Sequence, residues 1–312
     1  MLLHKNSTLI HSFHRVVRQF RTFAMPSASM LPTVVKPSPD EVANERLGER
    51  NLEKAVRSLH EDGLVVISNV VPHGDLDQLN QKMVEDARTL QARGKDMPYN
   101  YNVGNIQQDP PPIKKYFHNS IFLNPIAAQV TTAMLGPKPK WTFCSGNTAL
   151  PPVEGSKPQR QPVHADADFA HPTHPFALVV NVPLITFTPE NGSTEVWLGT
   201  HTGELSGLQV QEGLHGERAS GRIKEDLLES RRAVSAPFQP VIEKGSIVIR
   251  DLRLWHAGMP NWTEQVRVML AMSELCSSKL SKSELIVSRS PLCPLVSQSD
   301  ATGIRRRDQA EC

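Results

Sequence analysis

The chain is expected to fold as an α+β protein, with helices first and a β-sandwich or barrel after them. Up to about residue 135 apolar residues recur mainly at helical spacing, whereas from about residue 140 short apolar runs alternate with Pro and Gly. The 312 residues, 39% hydrophobic and 21% charged, suffice to bury one large core and give no sign of long disorder.

Residues 1–48 read as leader and linker, because Pro26, Pro32, Pro37 and Pro39 interrupt regular structure. Residues 1–39 hold no Asp or Glu, yet carry Lys5, Arg15, Arg18, Arg21 and Lys36, the composition of a mitochondrial transit peptide. Arg21-Thr22-Phe23-Ala24 resembles a matrix-protease cleavage site; an unstructured tail and a translation start at Met25 remain open beside that reading. Leu52, Val56 and Leu59 then mark a helix ended by Gly63, and Leu64-Val65-Val66-Ile67 a buried strand. A second helix is expected over 75–92 with Leu76, Leu79, Met83 and Leu90 near one face, then a polar loop over 94–115. A third helix, 126–135, stops at Gly136-Pro137. Strands are expected at 140–146, 176–182, 194–198, 246–254 and 266–273, with a polar, partly helical insertion from Leu205 to Ala236. The economical division is one catalytic domain over 49–285 and a flexible tail over 286–312.

Composition excludes several function classes. A net charge of +2 gives no domain-wide basic face, so no nucleic-acid partner is expected. The longest apolar stretch, Phe176–Ile185, is about half a membrane span and is broken by Asn181 and Pro183, so no stable membrane insertion is expected. Cys144, Cys276, Cys293 and Cys312 form neither a CxxC pair nor a disulfide framework. A reducing compartment follows: an intracellular protein, cytoplasmic or mitochondrial rather than secreted. The sequence leaves a homodimer open.

The chemistry is concentrated in Gln161-Pro162-Val163-His164-Ala165-Asp166. On an extended strand His164 and Asp166 point to the same side, because side chains alternate with period two. They supply two adjacent corners of a metal site, and His256, at the end of the apolar run Leu254-Trp255, supplies the third. Two neutral imidazoles and one carboxylate form a facial triad with three open positions, the arrangement of non-haem Fe(II) oxygenases. Arg267 lies eleven residues past His256, inside an apolar strand. A guanidinium there needs an anion, and its fork matches a carboxylate, here the distal carboxylate of 2-oxoglutarate.

These motifs resemble the phytanoyl-CoA dioxygenase family of Fe(II)/2-oxoglutarate oxygenases over about residues 50–275. The likeness rests on His60-Glu61-Asp62-Gly63-Leu64-Val65-Val66, the segment from Gln161 to Asp166, Pro189-Glu190-Asn191-Gly192-Ser193-Thr194 with Gly199-Thr200-His201, and Asp251 to Asn261 with Arg267. The resemblance implies a double-stranded β-helix, a cupin-like jelly-roll core flanked by N-terminal helices. It implies iron bound by His164, Asp166 and His256, 2-oxoglutarate anchored by Arg267, and further cosubstrate contacts from Gln161 and Thr194. Dioxygen would be the second cosubstrate, and succinate and CO₂ the by-products of oxidising a C–H bond in a small, largely apolar metabolite, as in a biosynthetic pathway. Several family members desaturate, epimerise or form peroxides instead. Asp166 also speaks against the related halogenases, which carry a small residue there. The terminal Gln309-Ala310-Glu311-Cys312 is not a peroxisomal tripeptide, which makes phytanoyl-CoA itself a poor substrate candidate. Leu198-Gly199-Thr200 departs from the commoner Pro-Gly-Ser, and the 205–236 insertion has no fixed family pattern; both are expected at substrate-side loops rather than at the iron.

Two other function classes compete. A non-catalytic jelly-roll sensor or binder would keep the barrel but usually lose a ligand or the arginine. A zinc hydrolase would use His164 with His171 and His174, although the prolines beside the last two favour a loop and no fourth ligand is apparent. Asp168 shares the strand face of His164; it is expected as a solvated loop carboxylate, although in another register it could compete for the metal. Trp197 and Trp255 are expected in the core and His201 as a structural residue at the turn after Gly199-Thr200. Arg250 and Arg253 are expected to pair with Asp251 or with substrate.

Overall fold

A computed structural model describes residues 31–153, 155, 157–213 and 220–277 of the chain. In chain order the main elements are β1 (Val34–Val35), α1 (Pro39–Ala43), α2 (Glu49–Glu61), β2 (Leu64–Ile67), α3 (His73–Gln91), β3 (Asn105–Gln108), α4 (Asn119–Phe122), α5 (Pro125–Leu135) and β4 (Lys140–Ala149). There follow β5 (Ala177–Pro183), β6 (Glu195–Val196), β7 (Gln211–Glu212), β8 (Arg222–Ile223), α6 (Glu225–Val234), β9 (Ile247–Asp251), β10 (His256–Ala257) and β11 (Arg267–Leu275).

Seven strands form one sheet in the order β1-β2-β9-β5-β11-β4-β3, antiparallel except for the β1–β2 pair. Period-two alternation gives this sheet two buried faces. Val65 and Ile67 of β2, Val180 and Val182 of β5 and Leu270 and Met272 of β11 pack under α2, α3 and α5, which contribute Leu59, Leu76, Leu79, Met83, Ile126 and Val130. Leu64 and Val66, one residue out of phase, turn inward to Phe187, Val196, Leu198 and Leu254. The inner layer is built from very short strands. Its ladder runs β7–β8, then His164, then β10, then β6, then Phe238, with a further Phe187–Ile242 bridge. Two antiparallel layers enclosing a core, with helices stacked on the outer face, are the jelly-roll expected from the resemblance.

The third expected helix, α5, stands where its caps put it. The Asn124 side chain accepts from the backbone N–H groups of Ile126 and Ala127, Pro125 occupies the first turn, and Gly136 ends α5 at φ +85°. Gly63, at φ +77°, turns the chain from α2 into β2; a Cβ there would lie 2.5 Å from the His201 ring, so this turn requires glycine.

Three expectations need correction. The linker boundary at residue 48 falls inside the folded unit: Val35 is fully buried, β1 pairs with β2, and Leu47 packs in the helix-side core. Pro39 starts α1 instead of preventing it, behind a Ser38–Glu41 capping box. The polar loop expected over 94–115 contains β3, an edge strand whose Gln residues belong to an antiparallel pair with β4. Its Ile106 is buried, and Gln108 bonds the Met83 carbonyl and Thr148, so polar residues here satisfy one another inside the fold. The 1–24 leader and the 286–312 tail lie outside the described residues.

Candidate metal centre

His164 and His256 face each other across the inner layer. The backbone N–H of each donates to the carbonyl of the other at 2.9 Å, which fixes the two rings with centroids 4.3 Å apart. Each Nδ1 lies against a carbonyl two residues earlier in its own chain segment, Pro162 at 2.9 Å and Leu254 at 3.0 Å. A carbonyl can only accept, so Nδ1 carries the proton and Nε2 presents its lone pair. Both Nε2 atoms converge on Asp166 Oδ1, at 3.6 and 3.7 Å. The ligand atoms of the three residues lie within 4.8 Å of one another, the one such cluster of three or more His, Cys, Asp or Glu among the described residues.

Electrostatics keep the ligands in their binding forms. Burial pushes the His164 pKa down and the His256 pKa well down, so both rings are neutral near pH 7. Burial alone would raise the Asp166 carboxyl, but the charge and hydrogen bond of Arg250 hold it below the usual carboxylate range. The Asp166 side chain retains 33% exposure, so the cluster opens on one side.

Arg267 is completely buried. Its guanidinium donates to the Gly192 carbonyl at 2.7 Å, to the Asn147 carbonyl at 3.2 Å and, at 3.4 Å, to the Asn191 carbonyl and the Asn147 side chain, and it lies over the Phe187 ring. Burial lowers its pKa to about 10, still well above neutrality. Among the described residues no carboxylate pairs with it, so a buried cation is held by neutral oxygens alone. Such a group fits an anionic ligand that the protein itself does not supply. The residues therefore fit iron at His164, Asp166 and His256 and a dicarboxylate at Arg267.

Gln161 is buried and spans the two ligand strands: its backbone N–H donates to the Gly258 carbonyl at 2.8 Å, and its Oε1 accepts from the Gly258 N–H at 2.7 Å. Thr194 is half-buried, two residues after Gly192 on the turn whose carbonyls take Arg267. The hydrolase ligand set does not assemble. His171 stacks on Phe176 and turns its Nδ1 to the Pro172 carbonyl, His174 is exposed, and neither joins His164. Asp168 accepts from Ser220 and stays out of the cluster. Trp197 and Trp255 are core residues, at 1% and 0% exposure.

The two departures from the family pattern lie closer to the ligands than expected. The insertion supplies β8, whose Arg222 bridges His164. The Ile223 N–H donates to the Val163 carbonyl, and the Ala165 N–H donates to the Gly221 carbonyl. Thr200 Oγ1 accepts from the Trp255 N–H, one residue before His256, and donates to the Trp197 carbonyl. Both segments brace the ligand strands.

Two neighbours of the cluster differ from expectation: Arg250 pairs with Asp166 rather than with Asp251, and Tyr101 is not singled out by the sequence. Arg253 takes Asp251 with both ends of its fork, whereas Arg250 reaches Asp166 at 2.5 Å. Tyr101, in the supposed loop, lays its ring 4.8 Å from that of His164 with its backbone at φ +64°. A bulky residue at positive φ is the one signal of constraint there, and it is visible only in the structure.

Known structures share this architecture. AviO1 from Streptomyces viridochromogenes Tue57 superposes with a TM-score of 0.54 at 15% identity, over 75% of this chain and 99% of that one. The nogalamycin-biosynthesis carbocyclase SnoK, described as non-heme and alpha-ketoglutarate-dependent, gives 0.53 at 15% identity over 74% and 85%. The epimerase SnoN, in complex with Fe3+, alpha-ketoglutarate and nogalamycin RO, gives 0.52 at 16% identity over 73% and 84%. At these identities the likeness establishes the fold. The family model for phytanoyl-CoA dioxygenase (PhyH) matches residues 59–269, a span that contains the His164–Asp166–His256 cluster and Arg267. With that match over most of its length, the chain belongs to the phytanoyl-CoA dioxygenase family of Fe(II)/2-oxoglutarate-dependent oxygenases.

Proposed function

We propose that this oxygenase oxidises a C–H bond of a small, largely apolar metabolite, with hydroxylation as the outcome, in a biosynthetic pathway. The observation that carries the site assignment is the convergence of two Nε2 atoms and one carboxylate oxygen in the same layer system that buries a guanidinium with no carboxylate partner among the described residues.

In this reading His164, His256 and Asp166 hold iron through Nε2, Nε2 and Oδ1, and Arg267 takes the distal carboxylate of 2-oxoglutarate. Iron with 2-oxoglutarate and dioxygen supplies the oxidising power, as succinate and CO₂ are released. The chain contributes orientation and shielding. The two Nδ1–carbonyl bonds stop the imidazoles from rotating, and Gln161 locks the two ligand strands in register. Tyr101 covers one face of the His164 ring, and the opening beside Asp166 gives a route for substrate.

Oxygen-free titration with Fe(II) and 2-oxoglutarate tests this. A weak visible charge-transfer band is expected in the wild type. It should be lost in Asp166→Ala, and in Arg267→Ala it should require at least tenfold more 2-oxoglutarate, because a buried charge-assisted contact is removed. Absence of the band, with tight zinc binding instead, would overturn the reading. SnoN is an epimerase and SnoK a carbocyclase, so this fold hosts more than one oxidative outcome. Product mass separates them: hydroxylation adds one oxygen, ring closure or desaturation removes two hydrogens, and epimerisation changes neither.

A further inference from the structure

Arg250 stands on β9, in the large sheet, between Leu64 of β2 and Val179 of β5. Its guanidinium crosses the barrel interior to a residue on the opposite layer, donating from Nη2 to Asp166 Oδ2 at 2.5 Å. An arginine free to choose takes a carboxylate with both arms of its fork, as Arg253 does with Asp251. Arg250 does not. Its Nε instead donates to Asn181 Oδ1 at 3.3 Å, and Nη1 is buried with no partner among the described residues. Asn181 is itself oriented, its Nδ2 donating to the Leu270 carbonyl of β11 at 3.4 Å. The guanidinium is thus held offset from the carboxylate, touching one oxygen, while the other oxygen is the one that both histidine Nε2 atoms approach.

We propose that Arg250, steered by Asn181, is a positioning residue that occupies Asp166 Oδ2 and thereby makes Asp166 a one-oxygen ligand. A carboxylate bound through both oxygens would use a further coordination position. Held to one, it leaves three positions for a bidentate keto acid and dioxygen. This rests on the metal reading above. It goes beyond that reading by assigning the coordination number to two residues that bind neither metal nor cosubstrate.

Oxygen-free Co(II) titration, without 2-oxoglutarate or substrate, reads affinity and, through the d–d absorption, coordination geometry. No binding by the wild type, or equal binding by His256→Ala, would overturn the metal reading and this inference together. With that site intact, Arg250→Met is expected to bind Co(II) about ten to a hundredfold more weakly and with an altered d–d band, the range usual for residues that orient metal ligands. Arg250→Lys should recover part of the affinity. In an Asp166→Ala background Arg250→Met should cost nothing further, because its effect passes through that carboxylate. Unchanged or tighter binding with an unchanged band in Arg250→Met would overturn the inference, as would an equal further loss in the Asp166→Ala background. Should Arg250→Met not fold, Asn181→Ala keeps the charge and releases the offset. An altered d–d band in it supports the clamp, and an unaltered band overturns it.

Discussion

The histidines show how single residues couple burial to stability. His164, His201 and His256 all have pKa values below the usual histidine value of 6.5, with burial the leading cause in each. The unfolded chain takes up protons near that value which the native protein refuses. Stability therefore rises with pH through this window and falls as pH drops below about 6.5. Asp166, whose carboxyl is depressed, adds a loss in the same direction only at far lower pH. The metal-free protein should melt at a lower temperature at about pH 5.5 than at about pH 7.5. His201→Gln should make that dependence shallower, since it removes one buried titrating ring without touching the ligand cluster; an identical slope would show that His201 does not contribute.

At the scale of elements, the ligand strand is held from both sides by segments only a few residues long. On one side Gln161 and His164 bond to β10 and Gly258; on the other, the 220–223 segment bonds to Val163 and Ala165. Gly221 has φ +73°, and a Cβ there would lie 2.4 Å from the Ala165 carbonyl, between the two ligands of the HxD motif. Gly221→Ala should therefore destabilise the protein by more than about 1 kcal/mol and weaken metal binding. Gly203→Ala is the control: its φ is +62°, but nothing lies within 4 Å of the added carbon. It should pay the backbone strain alone and leave metal affinity unchanged. Denaturant midpoints with Co(II) titration of the two variants check this, and equal metal affinities would argue against bracing by the insertion.

At the scale of the whole molecule, the fold reaches back further than the proline-rich sequence suggests. A chain beginning at residue 49 loses β1 from the sheet edge, the buried side chains of Val35 and Leu47, and the paired bonds between Leu47 and Gln129. Each buried aliphatic side chain is worth about 1.5–3 kcal/mol. Relative to a chain beginning at residue 31, the loss should be on the order of 3 kcal/mol or more. The uncovered β2 edge should also promote association. Chemical denaturation and size-exclusion chromatography measure both; equal stabilities would return residues 31–48 to the role of linker.

Much of this protein was legible in one dimension because the physics involved is local. Helical periodicity located α2, α3 and α5, and the Gly63 and Gly136-Pro137 stops marked the ends of α2 and α5. Period-two spacing brought His164 and Asp166 into one cluster, although their segment forms only a bridge at His164 and no strand, and residue chemistry singled out His256 and the buried Arg267. Other features depend on which strands become neighbours. β1 and β3 are too short or too polar to register as strands until a partner edge satisfies their backbone groups. The insertion became a brace because its backbone found the ligand strand. Arg250 lies one residue from Asp251 in sequence, yet pairs with Asp166, 84 residues away, because β9 and the ligand strand belong to opposite layers of one barrel. Sequence determined which groups were available for the chemistry. Tertiary structure decided which of their atoms face one another, since strand register across the barrel is set by packing and hydrogen bonding over the whole fold.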